Sequence, residues 1–150
     1  MLPPPAPEPA AAAVFAAFAA ALWLKGAALS AAQVQARVRP RAFARPEDAA
    51  MLRLVPAPEP TAAARAGDAW RNETENGPFA LGLAAAAVLV GVPWPPLAIA
   101  CGAFVLARLA HAMAALGTLQ PLRTIAWLAG QAATLALAIL CALSLWSRLP

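Results

Sequence analysis

The chain has 150 residues, of which 62% are hydrophobic and only 12% charged, with a net charge of +4. A water-soluble domain carries roughly twice that share of charge, so a soluble enzyme is excluded and lipid is the expected solvent. The basic excess does not point to nucleic acid, because most of the arginines crowd into one short stretch between apolar runs, as they do in cytoplasmic loops of membrane proteins.

Residues 1–9, Met1 to Pro9, are Pro-rich and read as an extended tail. An apolar run from about Ala10 to Ala36 follows. It lacks a basic leader and continues past Lys25, so it reads as a retained first helix. Arg37 to Pro60 is a polar, Pro-broken loop. Thr61 stands where an N-cap would open the second helix, which runs to about Val90. Only Gly77 to Val92 of that segment is free of charge, short of the roughly 20 apolar residues a span needs. Pro78 is expected to kink it. Gly91 to Pro96, GVPWPP, reads as a tight turn. The third helix is expected over about Leu97–Leu116, a link over Gly117–Gln120, and the fourth from Pro121 to about Ser147, Pro being favoured in a first turn. Trp23, Trp94 and Trp146 read as interface anchors.

The fold class is therefore all-α: an integral membrane four-helix bundle over residues 10–150, with lipid as its main partner and no internal repeat. Arg37, Arg39, Arg41, Arg45, Arg53 and Arg65 flank the first loop and Arg123 the third, while the middle loop is uncharged. Loops one and three are thus expected in the cytoplasm and both termini outside it. Richness in Ala, Arg and Pro with no Tyr fits a GC-rich genome and a bacterial inner membrane. Cys101 and Cys141 lie within apolar runs and read as packing residues, and no metal-ligand spacing is present.

An ionisable side chain within an apolar helix costs about 2.5–3.5 kcal/mol at mid-membrane on insertion scales, so the spacing of such residues is informative. Asp68, Arg71, Asn72 and Glu75 follow an i, i+3, i+4, i+7 pattern and share one arc of a helix, with Arg71 and Glu75 able to pair. Glu73 points elsewhere. Arg108 and His111 share a face with Phe104 and Ala115. Arg123 opens a stripe continued by Trp127, Gly130 and Thr134. Trp70 and Trp127 flank these stripes. The set reads either as a pocket for an anionic ligand, arginine forks suiting carboxylates, or as an interhelical ion-pair network that fixes packing. Lys25 reads as a snorkelling side chain or the partner of a carboxylate. The Glu47–Asp48 pair reads as a turn or capping element, and the sequon Asn72-Glu73-Thr74 as accidental.

Four segments resemble one family in order and spacing, over about Lys25 to Trp127. They are Val38 to Ala49 (VRPRAFARPEDA), Arg65 to Phe79 (RAGDAWRNETENGPF), Arg108 to His111 (RLAH) and Gln120 to Arg123 (QPLR). Together they resemble the MAPEG family, the membrane-associated proteins of eicosanoid and glutathione metabolism. The resemblance implies a homotrimer with glutathione as cosubstrate between neighbouring subunits, near the cytoplasmic face. By position, Arg71, Asn72 and Glu75 would hold glutathione from the second helix, Arg108 and His111 from the third, and Arg37 from the end of the first. Arg123 and Thr124 would sit at the sulfur and stabilise a thiolate. Asp48 would be an acid/base helper.

The activity implied is that of a glutathione-dependent transferase or peroxidase acting on a lipophilic small-molecule substrate; the alternative is a noncatalytic membrane scaffold or binding protein of the same fold. Five positions depart from the family pattern: Arg45 stands for an asparagine, Asp68 for an arginine, Trp70 for a histidine, Ala115 for a tyrosine and Trp127 for another aromatic hydroxyl. With no tyrosine in the chain, no phenol can take part in the chemistry.

Overall fold

The computed structural model describes residues 8–148. Five helices follow one another: α1 (Pro9–Val38), α2 (Pro46–Met51), α3 (Thr61–Leu89), α4 (Trp94–Leu116) and α5 (Gln120–Trp146), with no strand among the described residues. Alanine-rich sequence favours helix, and in lipid a helix satisfies its own backbone groups. Three helices, α1, α4 and α5, are long and apolar enough to cross a membrane; the chain is a multi-pass integral membrane protein. The fourth long helix, α3, is 29 residues but carries the charged stretch from Arg65 to Glu75.

Several expectations need correction. The bundle has a fifth, short helix, because Pro46 sets the first turn of α2 and Glu47 and Asp48 lie in that turn, where carboxylates oppose the helix dipole. Residues 37–60 are therefore not loop throughout. Thr61 is the first helical residue, with Pro60 at the cap position and no side-chain capping bond. Helix α3 continues through Pro78. Trp94 and Pro95 belong to the first turn of α4, not to the turn before it. Pro9 opens α1; of the expected tail, residues 1–7 lie outside the described residues. Trp23, expected at an interface, sits midway along α1.

Helices α3 and α4 form the inner pair. Each touches all the other long helices, whereas α1 and α5 flank them without touching. The face α3 turns inward is a stripe of small residues, Ala66, Ala69, Gly77, Ala80, Ala84 and Ala87, which lets helix backbones approach closely. The apolar core lies toward the end away from the arginine-rich loop: Leu97, Phe104 and Leu137 are fully buried, and Phe18 meets Phe104 edge-to-face at 5.8 Å. Glu8 Oε2 accepts from the Trp94 backbone N–H at 3.4 Å, and Ser144 Oγ donates to the Val90 carbonyl at 2.7 Å. These bonds bring the start of α1, the α3–α4 turn and the end of α5 to one end.

The α3–α4 turn is a Schellman motif. Gly91 has φ +71°, its N–H reaches the Val88 carbonyl, and the Val92 N–H reaches that of Ala87 at 2.9 Å. The opposite end of the bundle collects the first loop, α2, the α4–α5 link and Arg123.

Candidate functional site

The polar end is organised around Glu73, a residue outside the four-residue arc expected to be functional. It follows Ala69 and precedes Gly77 on the inward small-residue stripe of α3, and it is 7% exposed. Its Oε2 takes an ion pair from Lys25 Nζ of α1 and a hydrogen bond from Arg108 Nε of α4 at 3.3 Å. Arg108, at 1% exposure the largest fully buried side chain, also donates through Nη2 to the backbone carbonyl of Asn72 at 3.0 Å and to Asn72 Oδ1. Gly130 of α5 makes room for it: a Cβ there would lie 3.3 Å from Arg108 Cδ. One step deeper, Asn76 Oδ1 accepts from Gln131 Nε2 at 2.7 Å. Four helices are thus tied by one buried polar ladder, and Lys25 is the partner of a carboxylate rather than a snorkelling side chain.

Two adjoining hollows lie above this ladder. One, of about 140 Å³, is walled by His111, Arg123, Thr124 and Trp127. The other, of about 260 Å³, is walled by Asp68, Ala69, Asn72, His111, Ala115 and Arg123. His111 and Arg123 border both, so α3, α4 and α5 share one recess near the arginine-rich end. Of the expected site residues, the protomer brings together Asn72, His111, Arg123 and Thr124, with Arg108 beneath, holding Asn72 from below. Arg123 and Thr124 are exposed and His111 is buried.

The remaining expected residues are elsewhere. Arg71 and Glu75 are exposed on the outer side of α3. Arg71 pairs not with Glu75 but with Asp68, at 3.6 Å, with both side chains 71% exposed. The three arginines 71, 108 and 123 therefore do not converge on one cavity within a single protomer. Arg37 belongs to a separate cavity of about 430 Å³ under the first loop, walled in part by Phe43, Arg45, Asp48 and Glu59. There its Nε donates to Glu59 Oε1 at 2.9 Å, and its Nη2 pairs with the same oxygen.

Trp127 walls the recess, as its place beside the polar stripe led one to expect. Trp70 turns instead to a groove between α1 and α3 that it shares with Trp23 and Glu73. Glu73 could have been found in the sequence from one signal: an ionisable residue spaced i+4 and i+7 from Ala69 and Ala66, hence on the packing face. Cys101 and Cys141 are buried and free.

A family model described as "MAPEG family" matches residues 12–143 of the chain. No curated protein matches it.

Proposed function

From the chain's membership of the MAPEG family, we propose that it is a membrane enzyme that uses glutathione against lipophilic electrophiles or hydroperoxides. The supporting observation is the recess shared by α3, α4 and α5, in which the guanidinium of Arg123, the hydroxyl of Thr124 and the imidazole of His111 border one small hollow that opens beside Asn72. A free thiol has a pKa near 8.5 and is a weak nucleophile at neutral pH. A guanidinium and a hydroxyl donor aimed at the sulfur stabilise the thiolate over the thiol. In conjugation, the thiolate forms a C–S bond, the electrophile loses a leaving group or opens a strained ring, and the thiol proton passes to water. In peroxide reduction, two glutathione thiols are oxidised to one disulfide while the hydroperoxide becomes alcohol and water.

The outward position of Arg71 and Glu75 fits a site completed by a second copy. In that reading the chain is a homotrimer, glutathione lies between subunits, and α3 crosses the membrane with the other long helices. Arg71, Asn72 and Glu75 grip the tripeptide from one subunit, and Arg37 reaches in from the next. Both termini then lie on the side away from the arginine-rich loops, outside the cytoplasm, and the membrane is a bacterial inner membrane.

The test is glutathione-dependent conjugation of 1-chloro-2,4-dinitrobenzene by the detergent-solubilised protein. Arg123→Ala is expected to lower turnover by about 10²-fold, the loss seen when one preorganised charge-stabilising donor is removed. No binding at millimolar glutathione rejects the reading.

A noncatalytic scaffold is the second reading, and the burial of Arg108 in an ion-paired ladder favours it. It requires that Arg108→Ala destabilise the protein while Arg123→Ala leaves its cellular function unchanged.

A further inference from the structure

The groove between α1 and α3 lies outside the recess above and contains an unused chemical group. Its volume is about 470 Å³, and its walls, apart from Ser30, Glu73 and Thr74, are apolar, including Leu22, Trp23, Trp70, Pro78 and Leu81. That size falls within the range of small-molecule sites. Glu73 forms part of its floor. While Oε2 of this carboxylate is taken by Lys25 and Arg108, Oε1 is buried with no hydrogen-bond partner. A buried acceptor without a donor loses its hydration and gains nothing in return.

Gly77 leaves a notch over that oxygen. A Cβ built there would lie 3.6 Å from Glu73 Oε1 and within 4 Å of nothing else but the carboxyl carbon of the same residue. Across the groove, a Cβ at Gly26 would meet no atom within 4 Å. The two glycines therefore leave only a thin cover between the outer face of the bundle and the buried, unpaired oxygen.

We propose that this groove binds a neutral, membrane-dissolved molecule that donates a hydroxyl to Glu73 Oε1. The direction of approach follows from depth. Glu73 lies twelve residues into α3, about 18 Å from the arginine-rich end at 1.5 Å per residue, so the groove opens at the depth of the hydrocarbon layer. Neutrality follows from charge: Lys25 and Arg108 already place two cations on one carboxylate, and an ammonium would add a third. The apolar walls, with the exposed rings of Trp23 and Trp70 beside them, suit a hydrocarbon chain.

The test uses the full chain in lipid nanodiscs and three photoprobes: a diazirine-bearing hexadecanol, the matching hexadecane and the matching primary amine. Labelled peptides are identified by mass spectrometry. The alcohol is expected to label the segments around Trp23 and Trp70 about fivefold more than the hydrocarbon, the gain from one net hydrogen bond, and more than the amine. Gly26→Leu fills the groove and abolishes labelling there. Gly77→Ala fills only the notch and removes the preference for alcohol, leaving hydrocarbon labelling intact. Gly82→Leu, which also has open space around its Cβ but lies outside the groove, changes nothing. Equal labelling by alcohol and hydrocarbon overturns the proposal, as do preference for the amine, labelling undiminished by Gly26→Leu, and cross-linking between two copies through the groove.

Discussion

Among the described residues Glu73 is the single anion paired with Lys25 and Arg108, and that arithmetic orders the effects of substituting the three. Removing the carboxylate strands two buried cations, and breaking a buried pair typically costs about 3–5 kcal/mol. Removing Lys25 instead leaves a neutral Glu73–Arg108 pair with the bidentate hold on Asn72 intact. Glu73→Ala is accordingly expected to lower stability by about 3–5 kcal/mol, with Lys25→Met costing clearly less. Unfolding in mixed detergent micelles, followed by tryptophan fluorescence, measures both; equal losses would show that Lys25 is the dominant partner. The same residue marks the limit of reading side chains from spacing. The arc of Asp68, Arg71, Asn72 and Glu75 was legible because ionisable residues repeated at helical intervals. Its direction was not, since an amphipathic arc in lipid can face the bundle or a neighbouring copy. Which way it faces is set by the small residues on the other side of α3, because alanines and glycines admit other helices where arginines do not.

Three of the four long helices lie where long apolar runs lie, and α3 does so only in its second half. That much was legible, because in lipid a long apolar run has few alternatives to a helix. The short helix α2 was not, because six residues carry too little periodicity to stand out from a loop. A second element-level feature emerged only from backbone geometry. The α4–α5 link closes as a Schellman-type cap: the Leu119 N–H reaches the Ala114 carbonyl at 2.9 Å, and Thr118 takes the left-handed position with φ +63°. A β-branched residue there bears a cost of about 1 kcal/mol that glycine avoids. Thr118→Gly is therefore expected to raise the unfolding midpoint by an amount corresponding to about 1 kcal/mol. At the α4–α5 contact the effect runs the other way. A methyl at Gly130 would press on Arg108 Cδ from 3.3 Å inside a close-packed interface, so Gly130→Ala is expected to destabilise by about 1 kcal/mol or more. The two single variants bracket the wild type in one thermal-shift experiment; a destabilised Thr118→Gly would mean that the hydroxyl has a partner worth more than the backbone relief.

At the scale of the whole molecule, the protomer is incomplete as a membrane object. Asp68 and Arg71 are 71% exposed, yet they lie only about 10 and 15 Å along α3 from the arginine-rich end, beside helices that span the bilayer. Lipid does not tolerate such groups bare; in the proposed trimer a second copy covers them. The proposed site has the same need, since Arg37 and Arg123 of one protomer border different cavities. A ring of three copies joined head to tail satisfies both, each interface pairing the α1 end of one subunit with the recess of the next. Arg37 already gives Nε and Nη2 to Glu59, which leaves Nη1 for a ligand carboxylate held across the interface. Two expectations follow from this geometry. Native mass spectrometry from detergent gives three copies. More decisively, Arg37→Ala and Arg123→Ala each lose glutathione conjugation alone but regain it when the two proteins are unfolded, mixed in equal amounts and reassembled. One interface in four then joins an intact Arg37 to an intact Arg123, so recovery should approach about a quarter of wild-type activity for a head-to-tail ring. Recovery fails if both arginines act within one protomer, whatever the number of copies.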